Sequence, residues 1–363
     1  MFASNRPYNG LGAIPLHKLE TESTLKATIS ASRAIAELKA AGTALPNQAV
    51  LLRSVLLQEA KASSEIENVV TTNDRLYKAL SQTTSSQDAA TREVIAYSDA
   101  LWQSYSKLQE KGSFDKDLIV LIASLILRND VDFRDEAGCQ VINNRTGDVV
   151  YTPPVGRSLI SGRVSELCDF LNDADDNIDP LIKMAAAHYQ FEAIHPFSDG
   201  NGRTGRILNI LYLTHQGLLN LPVLYLSKFI LQNRSAYYTA IRDVTEKAEW
   251  EPWVLFMLEA TEKTALDTNR KLRNAAAAVQ KAIVTARAEM KKGYSRELLD
   301  VVFGQPYTRV AAVVDAGIAN RNTASLYLRD LERIGILRSV KLGRDVLYFN
   351  PSLAAALEID FVE

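Results

Sequence analysis

The stretch DPLIKMAAAHYQFEAIHPFSDGNGRTGRILNILYLTHQG, residues 179 to 217, allows few folds other than two helices joined by a short loop. Asp179 can cap a helix whose first position is Pro180, a residue suited to that place because it has no N–H to lose. Met184, Ala187, Phe191 and Ile194 recur at helical spacing and form the face to be buried, and Pro196 ends the helix directly after His195. The glycines on either side of Asn201 permit positive φ and close backbone approach. A second helix starts at about Gly202, keeps Ile207, Ile210 and Leu211 on one side, and stops near Gly217.

The rest of the chain is also mainly helical. From Leu25 to about Leu80 glycine and proline are scarce, and after the turn residues Leu45-Pro46-Asn47 the run NQAVLLRSVLLQEAKA puts Val50, Leu51, Ser54, Val55 and Gln58 on one face. The polar stretch SQTTSSQDAA, residues 81 to 90, reads as a linker, followed by helices at roughly 90 to 110 and 115 to 128. CQVINNRTGDVVYTPPV, residues 139 to 155, is β-branched on both sides of a Thr-Gly-Asp turn and predicts a hairpin ended by Pro153-Pro154. Beyond Trp253 a long, charged, Ala-rich helix looks like a connector. Residues 293 to 363 give three short helical patterns, then the strand-like runs ILRSVKL and DVLYFN around Gly343-Arg344, the order of a winged helix-turn-helix.

Length and charge narrow the function classes. A chain of 363 residues can bury two or three cores, and a formal charge of -2 argues against polyanion binding by net charge alone. Cys139 and Cys168 do not have a metal-ligand spacing, and two cysteines in a chain this large fit a reducing cytoplasm. No apolar stretch reaches the roughly 18 residues of a membrane span, and the N-terminus lacks the pattern of a signal peptide, so a cytoplasmic protein without membrane contact is expected.

Within HPFSDGNGRTGR, residues 195 to 206, each group suits a polyphosphate reaction. A loop leading into a helix N-terminus presents free N–H groups to an anion. Arg203 and Arg206 are three apart on the first turn, beside those N–H groups. Asp199 offers a hard carboxylate oxygen to magnesium, which takes one or two carboxylates plus phosphate oxygens and waters. His195, at the end of the preceding helix, can serve as general base on an attacking hydroxyl. Base, metal ligand and phosphate cradle together describe attack on a nucleotide phosphate.

HPFSDGNGRTGR resembles the Fic family motif, His-x-Phe-x-(Asp/Glu)-Gly-Asn-Gly-Arg-x-x-Arg, at every fixed position: His195, Phe197, Asp199, Gly200, Asn201, Gly202, Arg203 and Arg206. The resemblance implies a Fic-type helical core with a small β-hairpin flap, and an adenylyltransferase that moves AMP from ATP, with Mg2+, onto a Ser, Thr or Tyr hydroxyl of a target protein. By that likeness His195 is the base and Asp199 the magnesium ligand. Asn201 and the backbone at Gly200 and Gly202 would hold the α-phosphate region, with Arg203 and Arg206 on the β- and γ-phosphates. The DVVYTPP hairpin resembles the flap that pairs with the target by strand addition, with Val150 and Tyr151 facing the site. NRSAYYTAI resembles the adenine-side segment, with Tyr237 the stacking residue, although a Tyr pair on a helix can equally be core and rim. The asparagine some relatives carry after that pair is missing.

Residues 63 to 68, SSEIEN, resemble the family's inhibitory pattern through Ser63, Glu67 and Asn68. A carboxylate on Arg206 would occupy the γ-phosphate's partner and place negative charge where that phosphate should sit. The expected organisation is an N-terminal helical region with this motif over 1–85, a Fic catalytic core over 86–265, a helical connector over 266–292 and a winged helix-turn-helix over 293–363. Self-modification and a homodimer follow from the family. Two other readings remain open: removal of AMP at the same site, and a DNA-binding regulator whose core senses nucleotide. For the latter, residues 305 to 345 hold seven Lys/Arg (Arg309, Arg321, Arg329, Arg333, Arg338, Lys341, Arg344) against four acids (Asp315, Asp330, Glu332, Asp345). Arg321, Asn322, Thr323 and Ser325 stand at the start of its recognition helix.

Overall fold

The two helices read from residues 179–217 form the centre of the molecule. A computed structural model describes residues 2–44, 48–81, 88–136, 138–142, 147–290, 293–342 and 345–361, and for 43, 44, 48–53, 342 and 345 the backbone alone. In chain order the helices are α1 (Glu22–Ala44), α2 (Gln48–Ile66), α3 (Asn73–Ser81), α4 (Ala89–Lys111), α5 (Lys116–Leu127), α6 (Arg157–Asn172), α7 (Pro180–Ile194), α8 (Asn201–His215), α9 (Leu226–Gln232), α10 (Arg234–Lys247) and α11 (Trp250–Glu289). The C-terminal region adds α12 (Arg296–Val302), α13 (Val310–Asp315), α14 (Arg321–Arg333) and α15 (Pro351–Ala356).

The sequence marks the starts of these helices. The side chains of Asp88, Asp115 and Asp179 accept hydrogen bonds from the first-turn N–H groups of α4, α5 and α7, using donors a helix start leaves free. Gly112 ends α4 with φ 74°, a left-handed position that glycine takes without steric cost. The expected one-sided burial of α7 is exceeded: from Leu181 to Ile194 every residue but Glu192 is buried. Its far side is covered because α11 lies across it, with Trp253 Nε1 donating to Ala185 O at 2.7 Å. α6, α8 and α1 also pack on α7, while α4 and α5 close over α8.

α11 is one continuous helix of 40 residues that runs through the expected boundary at 265/266. It lies along α1 and buries Thr268, Asn269, Lys271, Leu272 and Ala275. The Ala-rich stretch is therefore part of the packed body, because small side chains let two long helices approach closely.

The hairpin forms as a short antiparallel ribbon, β1 (Val141–Ile142) against β2 (Val149–Tyr151), with a register shift between Val141 and Ile142. The C-terminal region carries a sheet of β3 (Tyr307–Thr308), β4 (Arg338–Leu342) and β5 (Asp345–Phe349) in the order β3-β5-β4, all antiparallel. α13 and α14 pack as a helix-turn-helix beside it, and Arg321 and Asn322 are exposed at the start of α14. The turn 45–47, most of the polar stretch after α3, residues 143–146 between β1 and β2 and residues 343–344 between β4 and β5 lie outside the described residues, as do the side chains of Val50 and Leu51. At the edges of that polar stretch, Ser81 closes α3 and Asp88 opens α4. No helix among the described residues is long and apolar enough to cross a membrane.

Candidate active site

His195 closes α7 in the left-handed region, φ 49°, which turns the chain sharply out of the helix. Its Nδ1 lies 3.3 Å from Glu192 O. With a proton on Nδ1 donated to that carbonyl, Nε2 is the nitrogen left to accept one. Burial, with the Arg134 guanidinium nearby, lowers the imidazole pKa to about 4, against the upward pull of Glu192 O, Glu67 and Asp199. The ring is therefore neutral at physiological pH, as a general base must be.

Arg134 has a second role that the sequence did not signal. Its Nε donates to His195 O at 2.7 Å, its Nη2 to Ile194 O at 3.3 Å, and its backbone N to Pro196 O at 3.0 Å. It ties down the carbonyls left free at the end of α7 and so fixes His195.

The loop is held by its own asparagine. Asn201 Oδ1 accepts from Phe197 N at 2.9 Å and Nδ2 donates to Phe197 O at 2.7 Å. Each end of the amide thus makes one hydrogen bond to the same residue, and Asn201 shapes the loop through its own side chain. Of the two glycines only Gly200 uses positive φ, 78°. Gly202 is helical, and its lack of a side chain matters for another reason: a Cβ there would overlap Glu67 Oε1.

The two arginines diverge. Arg203 pairs with Glu93 of α4 and, at 3.3 Å, with Asp199 Oδ1. Arg206, 1% exposed, turns towards α2, where Nη2 meets Glu67 Oε1 at 2.7 Å and Ser63 O at 3.0 Å and Nε donates to Ser63 Oγ at 2.8 Å. Burial alone would raise the Glu67 pKa, but the Arg206 charge and hydrogen bond, with Arg203 and His195 behind them, hold it below the usual carboxylate value. The same pair raises Arg206 above its ordinary value despite its burial. Glu67 stands just past the end of α2, and Asn68 follows at φ 64°, a conformation Asn adopts at less cost than most residues. Arg234 Nη2 caps Ile66 O at 2.7 Å.

Further carboxylates complete the surroundings. Glu59, eight residues before Glu67 on α2, is buried, takes Ser227 N at 2.9 Å and the Ser227 and Tyr97 hydroxyls, and has its pKa raised by burial. Glu192 is pushed up to about 7 by burial, with Arg206 pulling it down and Glu67 up. Asp199 keeps its side chain 74% exposed, with Oδ1 also accepting from Gly200 N at 2.6 Å. Among the described residues no three His, Cys, Asp or Glu gather as a metal cage. One exposed carboxylate beside a phosphate cradle still fits magnesium, whose remaining ligands come from phosphate and water.

Two expected contacts change. Tyr237 is 2% exposed and its hydroxyl meets His188 Nε2 at 2.8 Å, so its ring is packed among Trp253, Phe256 and Tyr238 with no face for a base; Tyr238, 46% exposed, is the open member of the pair. Successive strand residues point to opposite faces, so Val150 and Tyr151 cannot both face the site. Tyr151 turns inward, donating to Ala193 O at 2.7 Å, stacking on Phe2 and meeting Tyr8 edge to face, which leaves Val150 on the other side of the ribbon.

Three stretches of the chain match family models of known proteins. Residues 25–106 match the Fic/DOC family N-terminal model, residues 113–213 the Fic/DOC family model, and residues 279–353 the C-terminal domain of protein adenylyltransferase SoFic-like proteins. The protein adenylyltransferase fic-1 of Caenorhabditis elegans is 32% identical over 112 residues, 30% of this chain and 20% of that protein. The protein adenylyltransferase Fic of Drosophila willistoni is 37% identical over 97 residues, 26% and 18%. The chain thus matches about a fifth of the length of these curated relatives. A crystal structure of a Fic family protein from Desulfovibrio desulfuricans G20 superposes with a TM-score of 0.58 at 19% identity, covering 92% of this chain and 97% of that one. For residues 134–508 of C. elegans Fic-1 the TM-score is 0.52 at 22% identity, over 68% and 73%. The helical core, the motif loop and the flanking regions make this chain a member of the Fic/DOC family.

Proposed function

We propose that the protein is an adenylyltransferase that transfers AMP from ATP to a hydroxyl side chain of a target protein, and that Glu67 holds it inactive. The observation that carries the reading is the placement of a neutral His195, with Nε2 as the open nitrogen, beside the α8 N-terminus and two buried arginines. In this reading the target hydroxyl gives its proton to His195 Nε2 as its oxygen attacks the α-phosphorus. The bond to the β-phosphate breaks and pyrophosphate leaves, its charge met by Arg206 and the α8 N–H groups. Magnesium, held by Asp199 with the phosphates, would add charge neutralisation when bound.

Arg206 has one seat and two claimants. With Glu67 on it, the γ-phosphate loses its cation and meets a carboxylate, so ATP cannot adopt the in-line pose. Glu67→Gly is expected to raise AMP incorporation from α-labelled ATP at least tenfold, by analogy with the about 1.5–3 kcal/mol of a charged hydrogen bond. His195→Ala should abolish it in either background. Equal incorporation by wild type and the Glu67 variant would remove the brake, and labelling that survives His195→Ala would remove the assignment of the base.

A further inference from the structure

The inhibitory helix is gripped from two sides. Towards the catalytic core it presents Glu59, Ser63 and Glu67 at four-residue intervals, the first on Ser227 and Tyr97 and the other two on Arg206. On its other side stands Gln58, 7% exposed, whose Oε1 accepts from the buried Lys271 Nζ of α11 at 2.8 Å and whose Nε2 donates to Leu357 O at 3.3 Å.

Leu357 belongs to the end of the chain, which leaves the β3-β5-β4 sheet through α15 and folds back over the N-terminal helices. α15 lies on α11, and Leu357 and Ile359 are buried. Glu358, at φ 53°, pairs with Arg270, and Asn73 Nδ2 donates to Asp360 O at 3.1 Å. Phe361 sits among Tyr77, Tyr307 and Phe349, with ring centroids 5.9, 5.5 and 4.9 Å away. Tyr77 in turn reaches Ser54 O of α2 at 3.4 Å. One short segment therefore touches α2, α3, α11 and the sheet of the C-terminal domain.

We propose that residues 351–361 are a strut that keeps α2 seated, so that lifting this segment frees Glu67 from Arg206; the proposal rests on the inhibitory reading of Glu67. Lys271 makes the coupling steep, since a buried ammonium that loses Gln58 is left with Asp267, 3.5 Å away, and the Tyr225 ring, whose centroid is 5.1 Å away. The C-terminal domain thereby becomes the handle by which the brake is released.

The test uses the full chain with α-labelled ATP. Gln58→Ala and Phe361→Ala, each made alone, should raise AMP incorporation about tenfold, the scale expected when one buried hydrogen bond or one aromatic packing partner is removed. In the Glu67→Gly background the same changes should add nothing, because the brake is already absent. Amide exchange over residues 59–67 should quicken in both single variants. Should Phe361→Ala fail to fold, Arg270→Ala at the half-exposed rim takes its place. Wild-type incorporation with unaltered exchange overturns the strut, as does an equal rise in both backgrounds. A Glu67→Gly protein no more active than wild type takes down the inhibitory reading itself, a separate and recognisable failure.

Discussion

At the scale of single residues, burial and neighbouring charges together decide which groups of the site are ionised. His195 is the clearest case. Its protonated form is disfavoured by burial and by Arg134, so its folded pKa of about 4 lies below the ordinary 6.5 and the base stays free down to acidic pH. In the Glu67→Gly protein, which lacks one of the charges that raise His195, kcat/KM should therefore hold level from neutral pH and fall along an acid limb no higher than about pH 4; a limb near 6.5 would contradict the assigned environment. Glu67 shows the opposite sign for the charged form: with its pKa depressed by Arg206, the stability it lends is complete above the ordinary carboxylate value and is lost as pH falls through the lowered one. Gly205 is a constraint of a different kind. A Cβ there would come within 2.7 Å of Glu192 Oε1, 3.0 Å of Phe191 Cδ1 and 3.3 Å of His188 Cε1, because α7 and α8 cross at this point. Gly205→Ala should cost about 1–3 kcal/mol, read as a lower melting temperature. The motif made His195, Asp199 and Arg206 visible in the sequence; Arg134, Glu93 and Glu59 were not, since each reaches the site from a distant part of the chain and no local spacing signals it.

At the scale of elements, the loop between α7 and α8 is stabilised by its own chemistry. Asn201 bridges both backbone groups of Phe197 and sets the entry to α8. Asn201→Ala leaves a buried N–H and a buried C=O without partners, a loss of about 1–3 kcal/mol per group, and should lower both melting temperature and kcat. A drop in kcat alone at unchanged stability would point to a direct role on the nucleotide. The start of α7 was legible because Asp179 and Pro180 do local work, and the hairpin was legible from β-branched residues on both sides of a turn. The faces of Val150 and Tyr151 were not resolved by pattern, since two short strands carry too few residues to show which side is buried. Nor was the all-round burial of α7, which depends on α11 arriving from about 60 residues away.

At the scale of the whole molecule, the C-terminal domain is bonded to the N-terminal helices through few but buried groups. Tyr307 donates to Asp74 Oδ1 at 2.7 Å and its carbonyl accepts from Ser81 Oγ at 3.2 Å. Tyr307→Phe removes the first bond and leaves Asp74 to Lys78 alone. It should destabilise the full chain by about 1 kcal/mol, seen as a downward shift in the denaturant midpoint; an unchanged midpoint would mean that this bond adds nothing to the domain's attachment.

By itself the sequence determined which groups are present and in what order: a histidine at a helix end, a carboxylate, a Gly-Asn-Gly loop, two arginines, and a Ser-x-x-x-Glu pattern placed earlier in the chain. These are properties of contiguous residues, fixed by bond lengths and helical spacing. Only the tertiary structure decided which arginine meets which acid, which tyrosine of a pair is open, and which distant side chains pack against α2. Such choices depend on how helices far apart in the chain pack together, and buried charges at those crossings find partners that no local pattern can name.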